Sequence, residues 1–156
     1  MYDSFGLYRN SKWQKPSSGK SIPVINPVTE EVLGEAPAAS EDDTRNAIES
    51  AVSGTRQWRK VQAWERSRML SRVADVMREH MGKMACWLTL ELGKPLDQSK
   101  GEVGMAIEQF EWYAEEAKRI YGHVLESRQP HGKVLIQHEP VGVVAAFTSW
   151  DFPVVL

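Results

Sequence analysis

Apolar residues recur along this chain with two different periods, and the change of period divides it into segments. Ser21 to Asn26 and Glu31 to Ala36 are short β-type runs. The Asn26-Pro27-Val28-Thr29-Glu30 stretch between them has turn chemistry, so a β-hairpin is predicted. From Ser40 the period becomes helical. Ser40 is a good N-cap, and Glu41, Asp42 and Asp43 place acid in the first turn, where the helix dipole favours it. Ala47, Ile48, Ala51 and Val52 then form one apolar stripe. A second helix is predicted over about Ala63 to Met81, with Leu70, Val73, Val76 and Met77 inward. Gly82 is expected to break it, and a shorter helix through Leu88 ends at Leu92 with Gly93 at C′. Pro95 suits the first turn of a further helix running to about Tyr121. Its inner face is Val103, Ala106, Ile107, Phe110, Ala114 and Ala117, with Glu111, Glu115 and Glu116 on the wet side.

Beyond Gly122 the pattern is strand-like again, over Lys133 to His138 and then Val141 to Thr148, with a turn at Glu139-Pro140. Val143-Val144-Ala145-Ala146-Phe147 is continuously apolar rather than alternating, as in a parallel strand buried on both faces. Such a strand needs neighbours and covering helices, and few residues follow it, so the domain is expected to be incomplete. The first twenty residues are polar and aromatic by turns, with Pro16-Ser17-Ser18-Gly19 as a turn cluster.

Composition narrows the function classes. Hydrophobic residues at 42% and charged residues at 26% give a globular profile, and 19 basic against 21 acidic side chains argue against a nucleic-acid or anionic-membrane partner. The segment Met1 to Asn10 lacks the basic start and apolar run of a secretory signal. The longest apolar stretch falls far short of the roughly 20 residues needed to span a bilayer. A cytoplasmic protein is expected. The single cysteine, Cys86, stands mid-helix among apolar neighbours and reads as a small buried hydrophobe. His80, His123, His131 and His138 have no metal-ligand spacing, and Glu91 reads as a helix-terminal carboxylate, so no metal is expected. Glu115, Glu116, Lys118 and Arg119 read as a solvated helix face with i,i+3 and i,i+4 pairs rather than a recognition patch.

Four segments, in order and spacing, carry a family resemblance. They are Ile25-Asn26-Pro27 with Glu30-Glu31-Val32-Leu33-Gly34; Trp58-Arg59 with Glu65-Arg66-Ser67-Arg68; Leu90-Glu91-Leu92-Gly93-Lys94-Pro95 with Gly101-Glu102-Val103; and Glu139-Pro140-Val141-Gly142-Val143-Val144 leading to Thr148-Ser149-Trp150-Asp151-Phe152-Pro153. Together they resemble the aldehyde dehydrogenase superfamily over about residues 20 to 156. Trp112 through Gly122 is most similar to the succinate-semialdehyde dehydrogenase branch.

The resemblance implies an α/β fold: the N-terminal part of a Rossmann-like cofactor domain, comprising a β-hairpin, a helical layer and a first buried parallel strand. It divides the chain into a polar segment 1–20, the front of the cofactor domain 21–122, the start of an oligomerisation β-arm 123–140, and a strand with a cofactor-cleft loop 141–156. The implied parent function is oxidation of an aldehyde, succinate semialdehyde being favoured, to a carboxylic acid with NAD or NADP through a cysteine thioester. The implied partners are a small-molecule aldehyde and further copies of the parent chain in a homo-oligomer, with no nucleic acid and no membrane. The family's catalytic Cys, general-base Glu and Gly-rich phosphate turn correspond to positions past Leu156, so this chain alone is expected to be inactive. Two rival readings stay open: a non-catalytic partner of a full-length dehydrogenase, and a different reductase on the same fold.

Phe147, Thr148, Ser149 and Trp150 match the stretch lining the nicotinamide end of the family's cleft, with packing of Trp150 under its own loop as the alternative. Asp151 stands where the family has an Asn whose side-chain amide donates to the oxyanion, and Ser149 stands where it has Pro. An ionised Asp only accepts hydrogen bonds, so it would repel an oxyanion unless burial kept it protonated.

Overall fold

The computed structural model describes residues 6–156; the beginning of the 1–20 segment lies outside the described residues. In order, the elements are β1 (Leu7–Arg9), β2 (Lys12–Gln14), β3 (Ser21–Ile25), β4 (Val32–Pro37), α1 (Glu41–Trp58), α2 (Ala63–Leu92), α3 (Leu96–Glu116), β5 (His123–Glu126) and β6 (Lys133–Ile136). Among the described residues the strands pair as three antiparallel hairpins, β1-β2, β3-β4 and β5-β6. The architecture is mixed α/β, with three helices and small sheets among the described residues.

The core is the seam between α2 and α3. Ala74, Ala85 and Leu88 of α2 meet Val103 and Ile107 of α3, and Met77, Met81, Met84, Leu92 and Phe110 close over them. The α2 positions 74, 77, 81, 85, 88 and 92 step by three and four, which places them on one face. The expected α3 face is observed. The expected α2 face is corrected: Val73 and Val76 lie on an exposed rim, and the buried line runs through Ala74 and the methionines. Ala85 rather than its neighbour Cys86 faces α3. One helical step of about 100° turns the thiol out, so Cys86 is exposed and not the buried hydrophobe expected.

Gly82 does not break the helix; α2 is continuous for 30 residues. An isolated glycine lowers helix propensity by roughly 1 kcal/mol, which burial of Met81, Ala85 and Leu88 on either side outweighs. The stop comes at Gly93, left-handed at φ 71°, whose amide donates to the Thr89 carbonyl at 2.9 Å. A Cβ there would also meet Val28 Cγ2 at 3.1 Å and Pro27 Cγ at 3.2 Å, so the β3-β4 turn is docked on the end of α2. Pro95 then caps α3. That helix ends at Glu116, earlier than expected, in a tightened turn where Lys118 and Arg119 donate to the Glu115 and Glu116 carbonyls. The i,i+3 pairs Lys118–Glu115 and Arg119–Glu116 form as read from the sequence, at 2.7 and 2.9 Å.

The β3-β4 hairpin is present almost as expected. The Asn26 side chain accepts from the Val28 amide at 2.9 Å and holds the turn. The β1-β2 hairpin was not foreseen. Asn10 and Ser11 both take positive φ, which a two-residue hairpin turn requires, and Tyr8 and Trp13 pair across it with ring centroids 5.0 Å apart. Ser40 and Asp43 complete a capping box at the start of α1. Asp43 is also buried and accepts from the Ser17 amide and hydroxyl at 3.0 Å, joining helix to turn cluster. The apolar stripe of α1 is uncovered, Ile48 and Val52 being exposed.

The largest departure concerns residues 141–147. They pair with no strand of the described residues, and Val141 is 92% and Phe147 97% exposed. The buried parallel strand expected from the apolar run is therefore not formed: no described strand runs beside it, so its amides have no ladder to join.

Two substitutions probe this frame. Gly82→Ala meets nothing within 4 Å, so it should stabilise the chain by about 0.5–1 kcal/mol in denaturant titration; destabilisation would show that α2 is interrupted there. The Asp43 carboxyl is held down from 3.8 to about 2, first by the Ser40 amide and then by the Ser17 amide and both serine hydroxyls against the opposing effect of burial. Its ionised form is thus the one favoured by folding. The contribution is complete above pH 3.8 and is lost as pH falls toward 2. Asp43→Asn should flatten the stability profile over that interval; an unchanged slope would refute the assignment.

Candidate functional site

Chemistry-bearing groups converge where the residues after the extended segment return to the α2-α3 corner. Gly93 caps α2, so Lys94 sits in the middle of the three-residue link before α3, with its side chain largely covered. Two turns into α3, Glu102 is 1% exposed and is the largest fully buried side chain among the described residues. Its Oε2 pairs with Lys94 Nζ, and its Oε1 accepts from the Val154 amide at 2.9 Å. Lys94 Nζ also donates to the Asp151 carbonyl at 3.2 Å and lies 4.5 Å from the centre of the Phe152 ring. Val154 packs against the α2-α3 core. The other end of the extended segment is tied by Arg59 Nη2 to Glu139 at 3.5 Å. Residues 141–147 are therefore held at both ends and free between them.

The five sequence-selected residues stand at the end of this segment, Phe147, and on the loop that follows it, Thr148 to Asp151. Phe147, Thr148 and Ser149 are exposed, and Trp150 is 63% exposed, so it does not pack under its own loop. Asp151 is exposed too, and Ser149 Oγ donates to its Oδ1 at 2.7 Å. That hydroxyl, with the backbone amides of Asp151 and Phe152 and the Lys94 charge, holds the Asp151 carboxyl below the ordinary carboxylate range. The condition under which Asp151 could donate, protonation by burial, is not met. Serine at 149 supplies a hydrogen-bond donor to the residue 151 carboxylate, which a proline side chain could not. In the sequence, Lys94 and Glu102 stand out only as parts of a family-like motif. The signal that could have found them was Glu102 itself, an acid between Gly101 and Val103 on the face that carries Val103, Ala106 and Ile107.

Among the described residues no three His, Cys, Asp or Glu side chains are grouped to hold a metal ion. No helix of the described residues is long and apolar enough to cross a membrane.

With this geometry in view, comparison with known proteins defines the class. Residues 13–156 match the model of the aldehyde dehydrogenase family. The chain belongs to that family. It is 42% identical over 146 residues to the glutarate-semialdehyde dehydrogenase of Pseudomonas putida, covering 94% of this chain and 30% of that protein. It is 40% identical over 144 residues to the NADP(+) succinate-semialdehyde dehydrogenase of Escherichia coli, covering 92% and 30% respectively. The crystal structure of succinate-semialdehyde dehydrogenase from Burkholderia pseudomallei superposes with a TM-score of 0.94 at 36% identity, over 97% of this chain and 31% of that one. The chain thus spans about a third of the length of the relatives it matches.

One titration tests the coupling within the loop. Ser149→Ala removes the main hydrogen bond to the Asp151 carboxylate, so the carboxyl pKa should rise, read by carbon-13 NMR of side-chain carboxyls. An unmoved titration would show that Ser149 does not hold the anion.

Proposed function

We propose that this chain is the front third of an enzyme that oxidises a dicarboxylic semialdehyde, succinate or glutarate semialdehyde, to the corresponding acid with NADP or NAD. The observation that carries this reading is the 40–42% identity over more than nine-tenths of the chain to two dehydrogenases named for those substrates, one of them named for NADP(+). In this reading residues 1–20 precede the domain, 21–122 form its helical front, 123–140 begin an arm joining copies of the parent chain, and 141–156 carry the cleft. A cytoplasmic setting fits the same reading.

The extended segment suits the nicotinamide end of such a cofactor. Phe147 and Trp150 offer exposed aromatic faces, and the backbone around Thr148 and Ser149 has no ladder partner. No Lys or Arg occurs over residues 143–152, so the pyrophosphate would need groups from elsewhere. When bound, the cofactor accepts hydride from the substrate carbon. The role of this chain's own residues is to present the loop at which the aldehyde oxygen gains negative charge.

At that point Asp151 opposes the reaction. A carboxylate aimed at a developing oxyanion supplies no donor and adds repulsion, whereas the amide of Asn donates. A hybrid joining residues 1–156 to the remaining two thirds of the Escherichia coli relative tests both statements through aldehyde-dependent NADP+ reduction. It should turn over semialdehydes slowly. Asp151→Asn should raise kcat by roughly 10²–10³ with a smaller change in KM, because the hydrogen bond is made mainly in the transition state. Since the carboxyl is held below its usual range, the gain should persist from neutral pH down to about pH 4. Equal kcat for the two would remove Asp151 from the oxyanion position. The ionised Asp151 favours a second reading, a non-catalytic partner of an active dehydrogenase; a hybrid that stays inactive after Asp151→Asn would support it.

A further inference from the structure

Lys94 and Glu102 stand 8 residues apart in sequence, the loop they hold lies 57 residues beyond Lys94 and 52 beyond Glu102, and nothing in the reaction outlined above uses them. Their geometry is nevertheless specific. A carboxylate buried to 1% exposure is costly unless both its oxygens are satisfied. Here one oxygen takes the Lys94 ammonium and the other takes the Val154 amide at 2.9 Å. Lys94 in turn donates to the Asp151 carbonyl at 3.2 Å and covers the Phe152 ring at 4.5 Å. The pair therefore grips the main chain at two points, the carbonyl of residue 151 and the amide of residue 154. Between them stand Phe152 and Pro153, whose ring fixes one backbone dihedral.

We propose that Lys94 and Glu102 are positioning residues: a buried ion pair, rooted in the α2-α3 corner, that sets where the side chain of residue 151 is presented. The catalytic consequence rests on the reading above, in which residue 151 meets the aldehyde oxygen; the grip on the loop does not. Only a carboxylate fits the Glu102 position, because both its oxygens must accept. An amide of the same shape must turn its NH2 toward either the ammonium or the Val154 amide, and one contact then becomes donor against donor.

Amide exchange on the 156-residue chain, followed by NMR, tests the grip. Glu102→Gln should speed exchange at Phe152 and Val154 by at least about tenfold, while Val103 and Ile107 within α3 change less than about twofold. Lys94→Met, which keeps the aliphatic stem, should speed the same loop amides, and Lys94→Arg should restore most of the protection because the charge and donors return. Loop exchange unchanged in both Glu102→Gln and Lys94→Met, or loop and α3 amides accelerating together, would overturn the proposal; the second result would mark the pair as general core stabilisation. In the hybrid enzyme, Glu102→Gln should lower kcat by about tenfold with aldehyde KM within about twofold, as expected for a group misplaced in the transition state. A raised KM at unchanged kcat would overturn the catalytic half of the proposal. A parent hybrid without turnover would defeat the oxidation reading while leaving the exchange experiment to decide the grip.

Discussion

The close approach of α2 to α3 is the constraint on which the rest of the structure depends. Ala74 and Ala85 on one helix and Ala106 and Ala114 on the other keep the two backbones near each other, and larger residues interlock around them. Because the helices are antiparallel neighbours joined through only Gly93, Lys94 and Pro95, the corner between them is narrow and fixed. Everything with chemical interest returns to that corner. The β3-β4 turn docks on Gly93, and the 151–154 loop docks on Lys94 and Glu102. The seam supplies apolar burial; the corner supplies the few polar contacts that give it direction.

Much of this was legible in the sequence, because periodicity reports which face is buried. The α3 face was read residue by residue, Ser40 was recognised as a cap, and the β3-β4 hairpin was found to within one residue. Errors arose where a local rule met a tertiary contact. Gly82 is a helix breaker only when packing on both sides is weak, and here it is not. The sequence neighbours of Cys86 suggest burial, whereas burial depends on angle around the helix. The apolar run 143–147 reads as a strand buried on both faces, yet burial requires neighbours, and the described residues provide none.

The site shows the same division. Family resemblance points to the segment 147–151 as the candidate site, and residue chemistry marks the acid at 151 as a departure from the family motif. Sequence alone could not decide the ionisation of that acid. Three-dimensional structure did, by placing the Ser149 hydroxyl on it and the Lys94 charge nearby. Nor could sequence join Lys94 and Glu102 to a loop fifty residues further on, since no periodicity spans that distance.

The unbroken length of α2 has a mechanical consequence. At a rise of 1.5 Å per residue its 30 residues form a rod of about 45 Å, and a tilt of about 5° pivoted at one end sweeps the other through about 4 Å. A disturbance near Trp64, far from the corner, is thus geometrically amplified where Gly93 hands the chain to Lys94. The alanine seam resists that sweep by bracing the rod along its length. Conversely, mutations that loosen the seam far from the loop would act on it as a lever acts on its load, with no change in any residue that touches it.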